Sequence, residues 1–260
     1  MMWLSLLIST ICLNINFINK FTVHNPQEEE WPSGQVIHFV KSNWDGSNKG
    51  FISTYYKEDG WVESMKWHEG NNQVSVIPAL INRQTFSVDH FINIACQDGE
   101  CNQRGEMFKD VESGNYIINF GSIRDTITGI PDYWHSYDFD WASLATEFLF
   151  RKSFTDHRFM RCDFTTINGQ PGFGLVGEVS MKYQGISEIS EIKCHMYSIN
   201  GPGLHNRGGE IWFATNNNRL MGFKIDLPDE DSYQNVDFRY IGQEKMSSLQ
   251  WEAYKKMKYQ

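Results

Sequence analysis

"FGLVGEVSMKY", residues 173–183, decides the class of fold. Leu175, Gly177, Val179, Met181 and Tyr183 fall on one side of an extended chain, and Glu178, Ser180 and Lys182 fall on the other. Successive side chains of a strand point to opposite faces. The alternation therefore describes a strand with one buried and one wet face, which is the habit of antiparallel sheets. The neighbouring sequence supplies its partners. "EIKCHMYSI" (191–199) can pair with it, and "EIWFAT" (210–215) and "RLMGFKIDL" (219–227) flank "NNN" as a hairpin. In the second arm of that hairpin Met221, Phe223, Ile225 and Leu227 alternate with Gly222, Lys224 and Asp226. "NVDFRYIG" (235–242) reads as a last strand.

The N-terminal half repeats the pattern less cleanly. "QVIHFVKSN" (35–43), "FISTYY" (51–56), "WVESMKW" (61–67), "QVSVIPALI" (73–81), "TFSVDHFINIAC" (85–96) and "NYIINFG" (115–121) are short, β-rich and separated by turns. Pro78 suggests an edge strand or a bulge, because it cannot donate to a ladder. Two segments have helical signals. In "MSSLQWEAYKKMK", Ser247 precedes Gln250 at capping-box spacing, Leu249, Ala253 and Met257 share one side, and the lysines come late. They read as a solvated face. In "DWASLATEFLFRK" (140–152), Asp140 is the expected N-cap, and Leu144 and Phe148 lie one turn apart. The expected architecture is all-β (β-rich α+β). It is an antiparallel meander over 35–245 forming an open or half-closed barrel, with one or two packing helices, the last over 246–260.

Aromatic residues are 15% and hydrophobic residues 40% of the chain, enough to build a core rather than a disordered polymer. The formal net charge of −9 repels phosphate backbones, so no nucleic-acid partner is expected. Residues 1–24 begin with an apolar run that carries no charge before Lys20. It is short and interrupted by Asn, which suits a signal peptide or N-terminal anchor better than a membrane span. Residues 25–34 read as an acidic linker. Membrane contact is expected only through the N-terminal segment, if it stays uncleaved. Beyond it stand Cys96, Cys101, Cys162 and Cys194, and an even number in an exported chain points to disulfides. Asp98 and Gly99 let "CQDGEC" turn back on itself, so Cys96–Cys101 and Cys162–Cys194 are the expected pairs. The spacing lacks C-x-x-C, which disfavours zinc and thioredoxin-like chemistry. Export places the protein in the periplasm or outside the cell.

The stretch 173–242 resembles exported bacterial domains of unknown function related in fold to the lipoprotein-carrier half-barrels. Tyr183, Cys194, Tyr197, Trp212, Arg219 and Leu220 carry the likeness: a strand pair, a cysteine-bearing core strand, a Trp strand, a polar turn and an Arg-Leu strand. The N-terminal "SNWDGSNKG … ESMKWHEGN" is similar to part of an uncharacterised exported family. The resemblance implies a strongly curved open sheet around an apolar hollow, often holding a lipid-like ligand. It implies no catalytic residues.

Three stretches offer sites. "DYWHSYDFDW" (132–141), if it is a strand, turns Tyr133, His135, Tyr137, Phe139 and Trp141 to one face and Trp134, Ser136, Asp138 and Asp140 to the other. That is either a core strand with a wet back or an aromatic ligand wall. "KWHEGNN" (66–72) puts Trp67 and His68 beside a turn, without the second His of H-E-x-x-H. "NGPGLHNRGG" (200–209) is a glycine-rich loop where His205 and Arg207 could meet an anion. No G-x-S-x-G or P-loop occurs. The expected function is an exported binding protein that holds a hydrophobic or amphipathic, lipid-like small molecule in an aromatic-lined hollow, with no cofactor or metal. Trp67, His68, Tyr133, His135, Tyr137, Phe139, His205 and Arg207 are the expected ligand contacts. The alternatives are an enzyme acting on a glycan or lipid through Asp138, Asp140, His68 or His135, and a structural envelope protein without a ligand.

Overall fold

A computed structural model describes residues 30–137, 139–167, 170–226 and 233–260. Fifteen strands form one sheet. In chain order they are β1 (Gln35–Ser42), β2 (Gly50–Tyr56), β3 (Trp61–Trp67), β4 (Gln73–Ile81), β5 (Val88–Gln97), β6 (Glu100–Lys109), β7 (Tyr116–Phe120), β8 (Ile123–Ile127), β9 (Trp134–His135), β10 (His157–Ile167), β11 (Gln170–Ile189), β12 (Ile192–Asn200), β13 (Gly209–Ala214), β14 (Leu220–Ile225) and β15 (Val236–Lys245). Helix α1 (Ala142–Leu149) lies between β9 and β10, and α2 (Ser248–Tyr259) ends the chain. The first strand starts in the middle of the sheet beside the last. Strands β1 to β8 step outward to one edge, and β9 to β15 step back from the other edge to the centre. All neighbours are antiparallel except β9 and β10. The outer strands β8 and β9 do not pair, so the sheet is open.

One main core takes residues from both halves of the sheet, including Ile37, Ile52, Val62, Phe91, Ile118, Phe159, Val179, Phe213 and Phe238. The sheet curls around these side chains. The two edges come close: Phe120 of β7 and Phe164 of β10 have ring centroids 4.4 Å apart. The opposite face of β1–β5 carries a second cluster, where Val36, Tyr55, Met65, Val74 and Val76 pack under Trp251 and Tyr259 of α2. Helix α2 thus covers the outside of the barrel. Its capping box at Ser247 and Gln250 forms as the spacing predicts. Its buried face does not. Leu249 and Met257 are exposed, while Trp251, Lys255 and Tyr259 are buried. The reason is a charge inside the interface. Glu63 of β3 is 1% exposed, accepts from Trp251 Nε1 at 2.8 Å, and is ion-paired to both Lys255 and Lys57. Burial alone raises the pKa of Glu63, but the two ammonium groups outweigh it and hold the carboxyl below its ordinary value. Lys255 is therefore a structural anchor and not part of a solvated face.

The decisive strand runs longer than its pattern, and bulges break the alternation. Val179 and Met181 are buried as expected, but Leu175 is 48% exposed. Between them the β10–β11 ladder skips Val176, a bulge that re-aims the side chains beyond it. At this bulge Gly177 has φ +154°, and a Cβ there would lie 2.8 Å from the Gly203 amide nitrogen of a one-turn 3-10 helix (Pro202–Leu204). The missing side chain lets that turn seat on the sheet. A second bulge between β13 and β14 skips Met221, which leaves the main core and joins an outer cluster with Cys194 and Ala214. Leu220 takes its place inside. Pro78 sits in β4, an interior strand, and the β4–β5 ladder skips Ile77 and Pro78 where the N–H is missing.

Cys96 and Cys101 face each other across the β5–β6 hairpin and form the expected disulfide. The second expected bridge does not exist: Cys162 and Cys194 are free and buried. Both neighbour β11, but Cys162 lies opposite Leu175 and Cys194 opposite Ser187. That separation is about 40 Å of strand at ~3.3 Å per residue, and a bridge needs Cα atoms within about 7 Å. Alkylation after unfolding without reductant, followed by peptide mapping, will label Cys162 and Cys194 and leave Cys96 and Cys101 unlabelled. Replacing Glu63 by Gln leaves Lys255 and Lys57 without their counter-charge and is expected to cost about 3 kcal/mol in urea unfolding. The contribution lost is present above the ordinary carboxylate pKa and disappears as pH falls through the lowered one.

Candidate functional site: the aromatic crossing and its buried charge network

The chain must cross from β8 at one edge to β9 at the other, and residues 128–141 make that crossing. Among the described residues of the aromatic stretch, only Trp134 and His135 are strand. Trp134, His135, Tyr137, Phe139 and Trp141 are all buried, at 3% exposure or less, so they do not sort into a dry face and a wet face. Trp134 packs edge-on to Tyr116 and Phe173, and Phe139 edge-on to Phe91. Asp140 and Trp141 both adopt left-handed backbone, φ 47° and 56°, which costs of order 1–3 kcal/mol per residue. The double turn redirects the chain into α1. Asp140 does not cap that helix. Trp141 occupies the cap position without a side-chain bond, and the Asp140 carboxylate pairs with Lys66 at 2.7 Å and Lys41 at 3.6 Å.

Helix α1 lies inside the curled sheet, and all but its last residue are buried. Phe148 stacks on Phe213 with centroids 3.7 Å apart. The turn that buries Leu144 and Phe148 also buries Glu147, three residues after the first. Every lone pair direction of this carboxylate is used. Oε1 accepts from Arg151 Nε at 3.0 Å and Nη2 at 2.6 Å. Oε2 accepts from the Tyr133 hydroxyl at 2.7 Å and stands 2.9 Å from His135 Nε2. His135 Nδ1 lies 2.9 Å from the Ser143 hydroxyl, and His157 Nε2 lies 2.6 Å from the Tyr133 oxygen. Burial raises the pKa of Glu147, but the bonds and charges of His135, His157 and their neighbours hold it well below the carboxylate range. Burial pushes His135 down from 6.5, against the pull of Glu147.

The partners assign the protons. Tyr133 gives its hydrogen to Glu147, so the hydrogen between Tyr133 and His157 belongs to His157 Nε2. Arg151 Nη2 lies 2.6 Å from His157 Nδ1 and 3.0 Å from Nε2, and so stands against both ring nitrogens. His135 donates from Nε2 to Glu147 and accepts at Nδ1 from Ser143. Burial disfavours charge on His135, and the Arg151 guanidinium balances the Glu147 carboxylate. Donor atoms of His135, Glu147 and His157 lie within 4.8 Å of one another, the spacing of a two-histidine, one-carboxylate metal set. The donor chemistry does not fit a metal. Arg151 stands on Glu147 and against both ring nitrogens of His157, which places a fixed positive charge beside any ion held there.

The expected site residues divide accordingly. Tyr133 and His135 meet at Glu147, and Tyr137 and Phe139 lie in the adjoining core. Trp67 lies on the outer face, stacked on Phe51 and packed edge-on to Tyr254 of α2. His68 is exposed, with Nδ1 3.0 Å from the Lys49 carbonyl. His205 and Arg207 are exposed on the glycine-rich loop. The arginine that holds this loop is Arg161 of β10, which donates to the Gly203 carbonyl at 2.8 Å. Of the alternative catalytic groups, Asp138 lies outside the described residues, and Asp140 is neutralised by its lysines. Glu147, Arg151 and His157 lie outside 132–141, and that stretch gives no sign of them. The spacing Leu144–Glu147–Phe148 in the expected helix is the signal that points to the buried acid.

Open space is found at the seam between the two edges. A cavity of about 120 Å³ lies among Ile118 and Phe120 of β7, Ile123, Asp125 and Ile127 of β8, Phe164 of β10, and Gly172 and Phe173 of β11. A second, of about 10 Å³, lies beside α1 and is lined by Phe39, Tyr56, Ala145 and Phe238, among others. That is room for one water.

No family model matches this chain, and no curated protein does. Among solved structures, the chain is similar to a β-barrel-like protein of a domain of unknown function, DUF1849, from Brucella abortus. The identity is 6%, over 82% of this chain and 98% of that one, with a TM-score of 0.45. A DUF1329 family protein from Desulfovibrio piger matches at 9% identity, over 84% and 88% of the two chains, with a TM-score of 0.22.

Replacing Glu147 by Gln removes the one charge that balances Arg151 and forces a donor among donors. Chemical unfolding should show a loss of about 3–5 kcal/mol, several times that of a surface Glu→Gln control.

Proposed function

We propose that this is an exported binding protein that takes the apolar end of a small amphipathic molecule at the seam between β7–β8 and β10–β11. The observation that carries the reading is the 120 Å³ seam cavity, whose lining is aromatic and aliphatic except for Asp125 and Gly172. An apolar cavity of about 150 Å³ is enough to hold a benzene ring in an engineered protein. The apolar leader of the sequence and the Cys96–Cys101 bridge support export. This moves the expected ligand contacts away from Tyr133, His135, Tyr137 and Phe139, which fill the interior. Magnitudes limit the affinity. Four buried methylenes contribute about 3 kcal/mol, and a millimolar complex corresponds to roughly 4 kcal/mol. The cleft as it stands grips a chain end weakly.

The filled interior favours a second reading, a structural envelope protein without a ligand. One titration separates the two. Methyl NMR with octanoate as the probe should shift Ile118, Ile123 and Ile127 saturably in the millimolar range and leave Ile52 and Ile211 in place. Ile118→Trp, which fills the cleft, should abolish the shifts. Shifts spread evenly over all isoleucines, or none, would remove the binding reading and leave the structural one.

A further inference from the structure

The seam cavity has a single charged side chain in its wall, Asp125 of β8. The β7–β8 ladder puts it there. Ile123 stands opposite Phe120, Asp125 opposite Ile118, and Arg124 between them opposite Asn119. Successive side chains of a strand alternate, so Ile123, Asp125 and Ile127 share the seam face while Arg124 and Thr126 take the other. We propose that the molecule held at the seam, on the binding reading above, is a small organic ammonium. Its apolar end enters the cavity, and its cationic head lies against the Asp125 carboxylate and the phenyl rings beside it.

Two observations choose the sign of the head. The first is the carboxylate's lack of a counter-charge. Among the described residues its one hydrogen bond is to Oδ1 from the Thr126 amide, at 2.7 Å, and no basic side chain pairs with it. Glu147, Asp140 and Asp163 inside the sheet each have a basic partner. Asp125 is exposed, so a ligand can reach it. The second is the set of rings. Phe120 and Phe164 have centroids 4.4 Å apart with planes at 52°, and Phe164 and Phe173 are 5.3 Å apart at 66°. Rings set at such angles form a corner and not a stack. The face of a phenyl ring is its negative pole, which attracts an ammonium and repels a carboxylate.

Both features act in the same direction. An anionic head would set like charges against each other, and a neutral head would leave Asp125 without a counter-charge. Size narrows the class further. About 120 Å³ takes one ring or a few methylenes. The ligand is therefore a free short-chain or aromatic amine and not a lipid with a full acyl chain. Asp125 has one other use to be weighed, since an inward charge on an edge strand keeps further strands from adding to it. That role gives no preference between ligands of opposite charge.

Methyl NMR titrations of the full-length protein at neutral pH test this with octylammonium, octanol and octanoate, which share one tail. Octylammonium should saturate the shifts of Ile118, Ile123 and Ile127 at a concentration at least about fivefold lower than octanoate, with octanol between them. Asp125→Asn should bring octylammonium close to octanol. Glu188→Gln, which removes an exposed carboxylate of β11 outside the cavity lining, should leave the order unchanged. Salt gives a reading on the unaltered protein, should Asp125→Asn fail to fold. Raising sodium chloride from about 50 mM to about 500 mM should narrow the gap between the two charged probes. Equal affinities for these two probes, a preference that survives Asp125→Asn, or an equal loss in Glu188→Gln would overturn the ammonium assignment and leave the apolar cleft standing. Absence of saturable shifts with all three probes would remove the binding reading itself, and the ammonium with it.

Discussion

A chain that starts in the middle of its own sheet has to change edges once, and here it does so through the inside. Strands β1 to β8 run out to one edge and β9 to β15 return from the other. The connection between edges therefore lies across the concave face of a curled sheet. Anything placed there is out of water, which explains the density of rings in 132–141 and the apolar side of α1. The barrel is closed by this crossing and not by strand pairing. The cost is two consecutive left-handed residues, Asp140 and Trp141, and a set of polar groups carried inside with the backbone. Those groups survive because they satisfy one another: Glu147 with its four donors, Asp140 with two lysines, and Asp163 with Arg161 and Ser136.

The two faces of the sheet are stabilised by different means. The concave face is filled by the crossing and α1 and by side chains of both halves. Over β1–β5 the convex face is covered by α2, which is fixed through Glu63. In each case one buried carboxylate joins a helix to the sheet and is held ionised by neighbouring basic groups. Glu63 uses Lys255 and Lys57; Glu147 uses Arg151, with Tyr133 and His135 at its other oxygen.

The fold was largely legible. Short alternating segments separated by turn residues imply an antiparallel meander whatever their detailed register, because each must bury one face. What the pattern could not show was where bulges reset it. Leu175 and Met221 both sit on the expected dry side and both turn outward, since one skipped residue reverses the parity of everything beyond it. β6, β8 and β10 carry no such signal in the sequence, for a related reason. They lack a clean alternation: β6 is exposed over its first five residues, and β8 has only its two end isoleucines shielded. The disulfide expectation shows the same boundary. Cys96 and Cys101 are close in sequence and meet across a hairpin, but Cys162 and Cys194 are placed by the length of β11, which no spacing rule reports.

Local chemistry was therefore enough for what neighbours along the chain decide: strand periodicity, the capping box at Ser247, the hairpin disulfide, and the presence of a helix after Asp140. Which groups meet across the fold was decided by tertiary structure alone. The aromatic stretch became a plug because the sheet's topology sends it through the interior. Glu147 found Tyr133, His135 and His157 because a helix and two strand ends converge there. Pairings of that kind depend on the path of the whole backbone, and a pattern of side chains read in sequence order carries no distance between elements far apart along the chain.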